Sequence, residues 1–289
     1  MKAIIFGANG QDGYYLDELL TSTGATVIGV SRTGDSMRTN IVDPEAVNEL
    51  IKKEKPDQIF HFAANSTTRH DALFENHATI GTGTLNILEA VRVSSPHTKV
   101  FISGSGLQFK NEGRPIKETD AFEARDAYSV SRIHSVYAAR YYRSLGVKTY
   151  VGYFFNHDSP LRTERHMSKK IAEAAKRIAA GSSEKLEIGD ISVKKEWTFA
   201  GDVVNAVFTL MNQDDIVEAV IGSGKGYTIE EWLQECFSIV GKDWREYVIQ
   251  KKDYTAEYKM LIADPALIKS LRWEPMISFQ QLAQMMMKP

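Results

Sequence analysis

Cysteine is nearly absent from this 289-residue sequence, which contains Cys236 alone. A single thiol can form no disulfide within the chain and supplies too few ligands for a thiolate zinc site, so we predict no bound metal. The chain starts directly with an apolar strand pattern rather than with a basic leader. Together with the low cysteine content, this predicts a cytoplasmic protein.

Long apolar runs and an excess of charge are also missing. No apolar run reaches the roughly 18 residues of a membrane-spanning helix, so no membrane association is expected. The 35 Lys and Arg residues against 37 Asp and Glu residues give a formal net charge of −2. Nucleic-acid-binding surfaces require a basic excess, so no nucleic-acid partner is expected. Repeats and low-complexity segments are absent, and the length suits one α/β domain with a smaller appended domain.

A glycine-rich stretch, Gly-Ala-Asn-Gly-Gln-Asp-Gly at residues 7–13, follows an apolar run at residues 3–6. Residues 14–20 have helical apolar spacing, and another strand pattern at residues 25–30 completes a βαβ unit. Glycines let backbone N–H groups approach a pyrophosphate, while the helix N-terminus faces its negative charge. The pattern predicts a dinucleotide site, and an ordinary glycine-rich turn is the alternative.

Ser31 and Arg32 follow the second strand, where a dinucleotide fold meets the adenosine ribose. A hydroxyl and a guanidinium suit a 2′-phosphate better than an acidic residue would, so NADP is predicted rather than NAD. The alternative for Arg32 is a solvated loop arginine. Residues 40–43 are expected to end a third strand and its loop, with Asn40 and Ile41 lining the adenine.

The following segments continue the alternation of strands and helices. Helices are predicted at residues 44–53 and 83–91, and buried strands at residues 57–62 and 99–103. Ala63 and Ala64 form a small-residue turn beneath the nicotinamide half of the cofactor. We therefore predict an α/β fold with a doubly wound parallel sheet.

Two polar residues interrupt these apolar patterns. His61 lies inside a buried strand pattern and is interpreted as a satisfied core histidine rather than a catalytic one. Asn86 lies on an apolar helix and needs a partner, either a neighbouring backbone group or a proton-handling network.

Tyr128 and Arg132 lie four residues apart in a helical pattern. This spacing places them on one face of the helix, so their head groups can approach each other or a shared ligand.

The chain resembles the extended short-chain dehydrogenase/reductase family, and within it the GDP-mannose 4,6-dehydratases, over nearly its whole length. The motifs that carry the resemblance are residues 7–13, 154–162, 168–171, 186–190, 195–197 and 271–275. The resemblance implies NADP or NAD on the doubly wound sheet and a nucleotide-diphospho-sugar in a C-terminal domain. It also implies that the reaction begins by oxidising the sugar at its 4-position.

Applied to individual positions of this chain, the resemblance implies one set of contacts with the cofactor and another with the substrate. The implied cofactor-binding residues are Gly7, Gly10, Gln11, Asp12, Gly13, Ala63, Ala64, Tyr128, Arg132, His157 and Arg162. The implied substrate-binding residues are Asn156, Lys170 and Lys195.

The chain departs from the family at the catalytic positions. Relatives carry Ser-Thr-Ser-Glu where residues 103–106 here are Ser-Gly-Ser-Gly, so the threonine and the eliminating glutamate are missing. The family's lysine is replaced by Arg132. A tyrosine of ordinary pKa, about 10, needs a neighbouring cation to act near neutral pH, and arginine supplies charge but cannot relay a proton. Ser105 or Ser103 remains to hold the sugar oxygen.

Substrate recognition departs as well. Lys195 stands where relatives carry an arginine, and Tyr254 stands where a phosphate-binding arginine is expected. Lys251 and Lys252 could compensate for this loss. The segment 33–39 is much shorter than in relatives, where it reaches a neighbouring subunit, so a tetramer is not expected.

A homodimer through the Tyr128 helix is expected instead, with Tyr137, Tyr141 and Tyr142 either forming the interface or packing internally. We predict a cofactor domain at residues 1–158 with 197–222, and a substrate-binding cap at residues 159–196 with 223–289. Thr228 is predicted to cap a helix in that cap.

Two functions fit these patterns. The first is an NADP-dependent enzyme acting on a nucleotide-linked sugar, with a GDP-linked sugar preferred. Without the glutamate, hydride transfer such as 4-keto reduction, using Tyr128 as proton donor and Ser105 to hold the oxygen, is favoured over 4,6-dehydration. The second is a dinucleotide-binding protein with little or no turnover, which senses NADP(H) or supports a partner enzyme.

Overall fold

A computed structural model describes residues 1–32, 36–251 and 253–288. The strands are β1 (Lys2–Phe6), β2 (Thr26–Val30), β3 (Gln58–His61), β4 (Lys99–Ser105), β5 (Lys148–Phe154), β6 (His157–Asp158), β7 (Leu186–Ile188), β8 (Lys194–Glu196), β9 (Thr198–Phe199), β10 (Glu218–Ile221), β11 (Gly226–Thr228), β12 (Val248–Gln250) and β13 (Met260–Leu261).

The helices alternate with these strands along the chain. They are α1 (Gln11–Ser22), α2 (Pro44–Glu54), α3 (Leu73–Asn76), α4 (Gly83–Ser94), α5 (Ala127–Ser144), α6 (Met167–Ala179), α7 (Ala200–Met211), α8 (Ile229–Ile239), α9 (Ala266–Ser270) and α10 (Phe279–Met287). A π-helical segment, His77–Thr82, joins α3 to α4. Within the described ranges, no helix is both long and apolar enough to span a bilayer.

The main sheet has six strands in the order β10-β5-β4-β3-β1-β2, and all its strand pairs are parallel. The chain runs from β1 to β2 on one side and then crosses to β3 on the other side of β1. Ligands of open α/β sheets bind at such a switch point, outside the carboxyl ends of the strands.

Both faces of this sheet are covered, which explains why its strands are apolar throughout rather than alternating. In β1, Ile4 and Phe6 pack toward α2, α4 and α5, whereas Ala3 and Ile5 pack toward α1 and α7. The predicted α/β fold with a parallel sheet is confirmed.

A smaller region, formed mainly by C-terminal elements, has its own apolar core. Helices α6, α8 and α10 contribute to it, and the rings of Trp197 and Trp232 stack with centroids 4.4 Å apart. Thr228 begins α8 in a capping box with Glu231, which confirms the predicted cap. The buried Glu196 carboxylate accepts the backbone N–H groups of Ala263 at 2.7 Å and Gly224 at 3.3 Å, and so ties β8 to the segments after β10 and β13.

The prediction of a third strand ending at residues 40–43 is wrong. These residues form a turn after an irregular segment, and the third strand of the sheet is β3. The reason is local, because the Asp43 carboxylate accepts the backbone N–H groups of Glu45 and Ala46 and thereby begins α2. Part of the shortened segment 33–39, namely residues 33–35, lies outside the described residues.

Candidate active site

The glycine turn lies between β1 and α1 at the carboxyl edge of the sheet. Gly7 has φ +92°, and a Cβ there would lie 2.6 Å from the Ala63 backbone nitrogen. A Cβ on Gly13 would lie 2.5 Å from the Gly7 carbonyl oxygen. Gly10 begins α1 without a side-chain cap. The glycine turn is therefore in close contact with neighbouring backbone atoms. The uncapped N-terminus of α1 can face an anion.

A cleft of about 430 Å³ lies beside this turn. Of the predicted cofactor residues, those that line it are Gly7, Gly10, Ser31, Arg32, Ile41, Ala63 and Ala64. Asn40 is not among them, since it is exposed and its Oδ1 accepts the Val42 N–H at 3.2 Å. Gly13 supports the turn from the helix side rather than lining the cleft.

Arg32 lies exposed at the rim of this cleft. Its guanidinium nitrogens lie 3.3 Å from Oε1 of Glu75, whose Oε2 also accepts the Asn65 side-chain amide at 2.9 Å. The guanidinium is thus held beside a carboxylate at the rim of the cleft.

A second cavity of about 280 Å³ shares Gly10, Phe62 and Ala64 with the first, so the two form one continuous cleft. The predicted site residues that line this second part are Gln11, Asp12, Ser105, Tyr128, Arg132, Asn156, His157 and Arg162. The structure therefore brings together the residues expected around the reacting end of a dinucleotide.

Arg132 is only 4% exposed and is held by β4. Its Nη1 donates to the Ser103 carbonyl and, at 2.7 Å, to the Ser103 hydroxyl. The guanidinium carbon lies 4.9 Å from the centroid of the Tyr128 ring. The positive charge therefore lies against the ring of the tyrosine through a cation–π contact.

The two serines of β4 differ in the hydrogen bonds that their hydroxyls already form. Ser103 donates to the His61 carbonyl at 2.9 Å and accepts from Arg132, so its hydroxyl is engaged in both directions. The Ser105 hydroxyl accepts the Leu107 N–H at 3.2 Å, and its own proton has no acceptor among the described residues. Ser105 is thus better suited to hold a ligand oxygen.

The glycines between and after these serines are closely packed. A Cβ on Gly104 would lie 2.6 Å from the Tyr153 ring, and a Cβ on Gly106 would lie 2.9 Å from the Phe155 ring. Aromatic side chains fill the space that a threonine and a glutamate would need at these positions.

Asp12 and His157 form a partly buried pair that links α1 to β6. The His157 ring faces two acceptors, with Nδ1 2.8 Å from the Phe155 carbonyl and Nε2 2.9 Å from the Asp12 carboxylate. Both nitrogens must therefore carry protons. Burial disfavours the charged ring, but Asp12 outweighs it and raises the pKa of His157 above its ordinary value. Burial likewise opposes ionisation of Asp12, yet His157 and then Arg162 lower its pKa.

His61 and Asn86 lie away from this chemistry. The His61 ring is fully buried, and burial followed by the Arg132 charge lowers its pKa to about 3, so the ring is neutral. Its core location is confirmed, but the prediction that the ring is satisfied is wrong, because neither buried ring nitrogen has a hydrogen-bond partner among the described residues. Asn86 donates to the Ile41 carbonyl at 2.9 Å, which selects the backbone alternative.

A third cavity of about 390 Å³ lies in the smaller region and contains the remaining predicted substrate residues, Lys170 and Lys195. Lys170 donates to the Glu187 carbonyl at 3.0 Å. The Lys195 ammonium lies 4.8 Å from the Trp197 ring centroid and has no carboxylate partner in the described ranges. Tyr254 lies against Gly189, where a Cβ would be 2.4 Å from its ring.

Of the two lysines that could compensate for the missing arginine, the one that the structure describes is already paired. Lys251 forms an ion pair with Glu187 at 3.4 Å, and Lys252 lies outside the described residues. Two neighbouring residues that sequence reasoning missed, Arg165 and His166, line these cavities instead. The only available signal was their position between two recognised motifs, directly before α6.

The parallel sheet, the glycine turn at its first crossover and the Tyr128 pair in the same cleft have the arrangement of an extended short-chain dehydrogenase/reductase. A family model described as GDP-mannose 4,6 dehydratase matches residues 4–286. The chain belongs to the GDP-mannose 4,6-dehydratase family.

Individual relatives agree with this assignment. GDP-mannose 4,6 dehydratase 2 of Arabidopsis thaliana is 32% identical over 317 residues, covering 98% of this chain and 85% of that protein. The human GDP-mannose 4,6 dehydratase is 26% identical over 333 residues, covering 98% and 90%. The homologues are enzymes that modify nucleotide sugars.

Solved structures share the fold. A UDP-glucose 4-epimerase from Thermotoga maritima with UDP-glucose superimposes with a TM-score of 0.88 at 21% identity, covering 99% of this chain and 97% of that one. RMD from Pseudomonas aeruginosa, complexed with NADPH, gives a TM-score of 0.87 at 21% identity, covering 99% and 96%.

Proposed function

We propose that this protein is an NADP-dependent oxidoreductase that transfers hydride at a nucleotide-linked sugar, with 4-keto reduction favoured over full 4,6-dehydration. The observation that carries the proposal is the continuous cleft, in which Tyr128 lies beyond the glycine turn and shares a cavity with Ser105 and Asn156.

Each residue has a role in that reaction. The bound nicotinamide supplies the hydride. Tyr128 donates the proton to the sugar oxygen, Ser105 holds that oxygen with its free hydroxyl proton, and Arg132 fixes the tyrosine ring by lying against it. Since residues 104 and 106 are glycines, the threonine and the proton-removing glutamate of the resembled dehydratases are missing from these positions. This arrangement supports a single hydride transfer.

NADP rather than NAD is proposed because Ser31 and Arg32 line the adenosine end of the cleft. A hydroxyl and a guanidinium are donors for a 2′-phosphate. A phosphate entering there would compete with Glu75 for the Arg32 guanidinium. Solved structural relatives carry NAD in some cases and NADPH in others, so the choice of NADP rests on Ser31 and Arg32.

The cavity of about 390 Å³ is proposed to hold the nucleotide of the substrate. Lys195 has no carboxylate partner among the described residues, and Arg165 has neither an ion pair nor a hydrogen bond there. Two such cations suit a diphosphate. The family assignment favours a GDP-linked sugar.

Calorimetric titration tests the proposal. NADP+, NADPH and NAD+ are titrated first, and GDP-, UDP- and CDP-linked sugars are then titrated onto the cofactor complex. Binding of NADP(H) together with one nucleotide sugar, followed by a sugar-dependent change in NADPH absorbance, is the expected result. Cofactor binding without affinity for any nucleotide sugar contradicts the enzymatic proposal.

A second function, dinucleotide binding with little or no turnover, is favoured by the packing of β4. Tyr153 and Phe155 occupy the space beside Gly104 and Gly106, and Arg132 is tied to Ser103 rather than free to reach a ligand. Under this alternative, NADP(H) binds and no sugar is turned over.

We further propose a cytoplasmic homodimer with the two-part domain division given above. Tyr137 and Tyr141 on α5 are 56% and 60% exposed, and Val130 on the same helix is also exposed. Tyr142 packs internally instead, with its hydroxyl donating to Glu89 at 3.1 Å. Pairing of two α5 helices would cover the exposed side chains.

A further inference from the structure

The cavity beside Tyr128 is lined by six ionisable side chains, which are Asp12, Tyr128, Arg132, His157, Arg162 and His166. Asp12 and His157 neutralise each other, and Arg132 is bound to Ser103. Arg162 donates to the His157 carbonyl at 2.9 Å. After these pairings, the two guanidinium groups still carry N–H donors, and Tyr128 and His166 are the remaining side chains of this set that can donate to a ligand.

The His166 ring is fixed in one protonation state by its neighbour. Its Nε2 lies 3.3 Å from Nη1 of Arg162, and a guanidinium can only donate. Nε2 must therefore accept, so the ring is neutral and its proton is on Nδ1. Burial, followed by the Arg162 charge, lowers the pKa of His166 to about 4, which agrees with a neutral ring.

The backbone of His166 is also well fixed. Its N–H donates to the Thr163 carbonyl at 3.0 Å, and its own carbonyl accepts the Lys170 N–H in the first turn of α6 at 2.9 Å. Nδ1 has no hydrogen-bond partner among the described residues, and it is not one of the nitrogens sealed from solvent. His166 lines the cavity that contains Tyr128, and its Nδ1–H is an unpartnered donor that is not sealed from solvent.

We infer that His166 is a further catalytic residue of the proposed reaction, donating its Nδ1–H to the oxygen on the reacting carbon of the sugar. This inference rests on the proposed function. In the reduction, the carbonyl carbon gains hydride from the reduced nicotinamide dinucleotide and the oxygen gains the phenolic proton of Tyr128. His166 loses no proton. It stabilises the negative charge that develops on the oxygen, and its Nε2 lone pair, engaged by Arg162, is not available for a base role.

The first test is independent of turnover. Nitrogen-15 NMR of the labelled protein, with His166→Phe used to assign the signal, reports which ring nitrogen carries the proton at neutral pH. The neutral Nδ1–H form is expected. A protonated ring or the Nε2–H form overturns the inference.

The second test compares His166→Phe with His166→Asn, whose side-chain amide places an N–H near the Nδ1 position. NADPH consumption is followed with a GDP-linked 4-keto sugar. The phenylalanine variant should lose about 100-fold or more in kcat with KM within about threefold, and the asparagine variant should retain most of kcat, as for loss and rescue of one oxyanion donor.

NADP+ titration and the melting temperature serve as folding controls for both variants. An unchanged kcat in folded His166→Phe overturns this inference alone. Absence of turnover by the wild-type protein with GDP-, UDP- and CDP-linked 4-keto sugars overturns both the inference and the proposed function.

Discussion

Arg132 shows, at the scale of one residue, why replacing the family's lysine with an arginine is not a conservative substitution. Its guanidinium donates to both the carbonyl and the hydroxyl of Ser103 and lies 4.9 Å from the Tyr128 ring centroid, and unlike a lysine it cannot relay a proton. The sequence could indicate that Tyr128 has a cation nearby. It could not indicate that the cation lies against the ring and is anchored to β4.

Tyr128→Phe removes the phenolic proton and keeps the ring that Arg132 contacts. Turnover should fall by at least about 100-fold, the contribution expected of a positioned proton donor, while calorimetric NADP+ affinity stays unchanged. Retained turnover in the variant would show that another group delivers the proton.

The partly buried pair of Asp12 and His157 predicts a pH-dependent stability. Because the pKa of His157 is raised in the folded protein, the contribution is fully present below the ordinary histidine value of about 6.5 and is lost as pH rises through the folded pKa. Because the pKa of Asp12 is lowered, the contribution is also lost as pH falls through the folded pKa of that carboxyl group. Melting temperatures of the wild type and Asp12→Asn should therefore converge toward alkaline pH, and a constant difference would contradict this account.

Arg165 is predicted to bind a phosphate group because it lines both the proposed cofactor cleft and the proposed nucleotide cavity without a partner in the described ranges. Arg165→Ala should weaken GDP binding roughly 10- to 150-fold, since a charged hydrogen bond contributes about 1.5–3 kcal/mol. Separate NADP+ titration shows whether the cofactor is affected instead. Arg177→Ala is the matched control, because Arg177 is exposed and already paired with Glu164 and Glu184.

At the scale of elements, β4 decides which side chains can stand at the reacting end of the cleft. Gly104 and Gly106 can be recognised from the sequence as departures from the family. Whether the missing side chains could be restored depends on Tyr153 and Phe155, which come from β5 and the residue after it, and therefore on tertiary packing.

Gly104→Thr and Gly106→Glu should destabilise the protein by about 1–3 kcal/mol each rather than restore dehydration, because they overpack a closed core. Denaturant unfolding measures the loss, and dehydration of GDP-mannose is assayed in parallel. A stable variant that gains dehydration would show that the aromatic rings can move aside.

The elements that could be predicted from the sequence are those with strong local signals. Buried strands such as β3 follow from apolar runs, and α8 follows from the cap at Thr228. The strand expected near Asn40 failed because Asp43 provides a helix cap that outweighs a short apolar pair. His166 was missed because its tautomer depends on Arg162, a relation that exists only in the folded chain.

At the scale of the whole molecule, the exposed tyrosines of α5 predict a homodimer. Tyr141→Glu places a charge on that surface and should convert a dimer to a monomer, as measured by analytical ultracentrifugation. Tyr14→Glu is the control, because Tyr14 is also exposed but lies on α1. A wild-type protein that sediments as a monomer would contradict the homodimer.

The order of elements along the chain also determines when the strands of the main sheet can pair during synthesis. The edge strand β10 joins β5 in the main sheet only after β6, α6, β7, β8, β9 and α7 have been synthesised. On the ribosome, the edge of β5 therefore stays unpaired while more than sixty residues are added between Phe154 and Glu218. An unpaired edge of a nearly complete sheet can pair with other chains. The interval before β10 is synthesised is therefore the period in which the partly folded chain is exposed to pairing at its β5 edge.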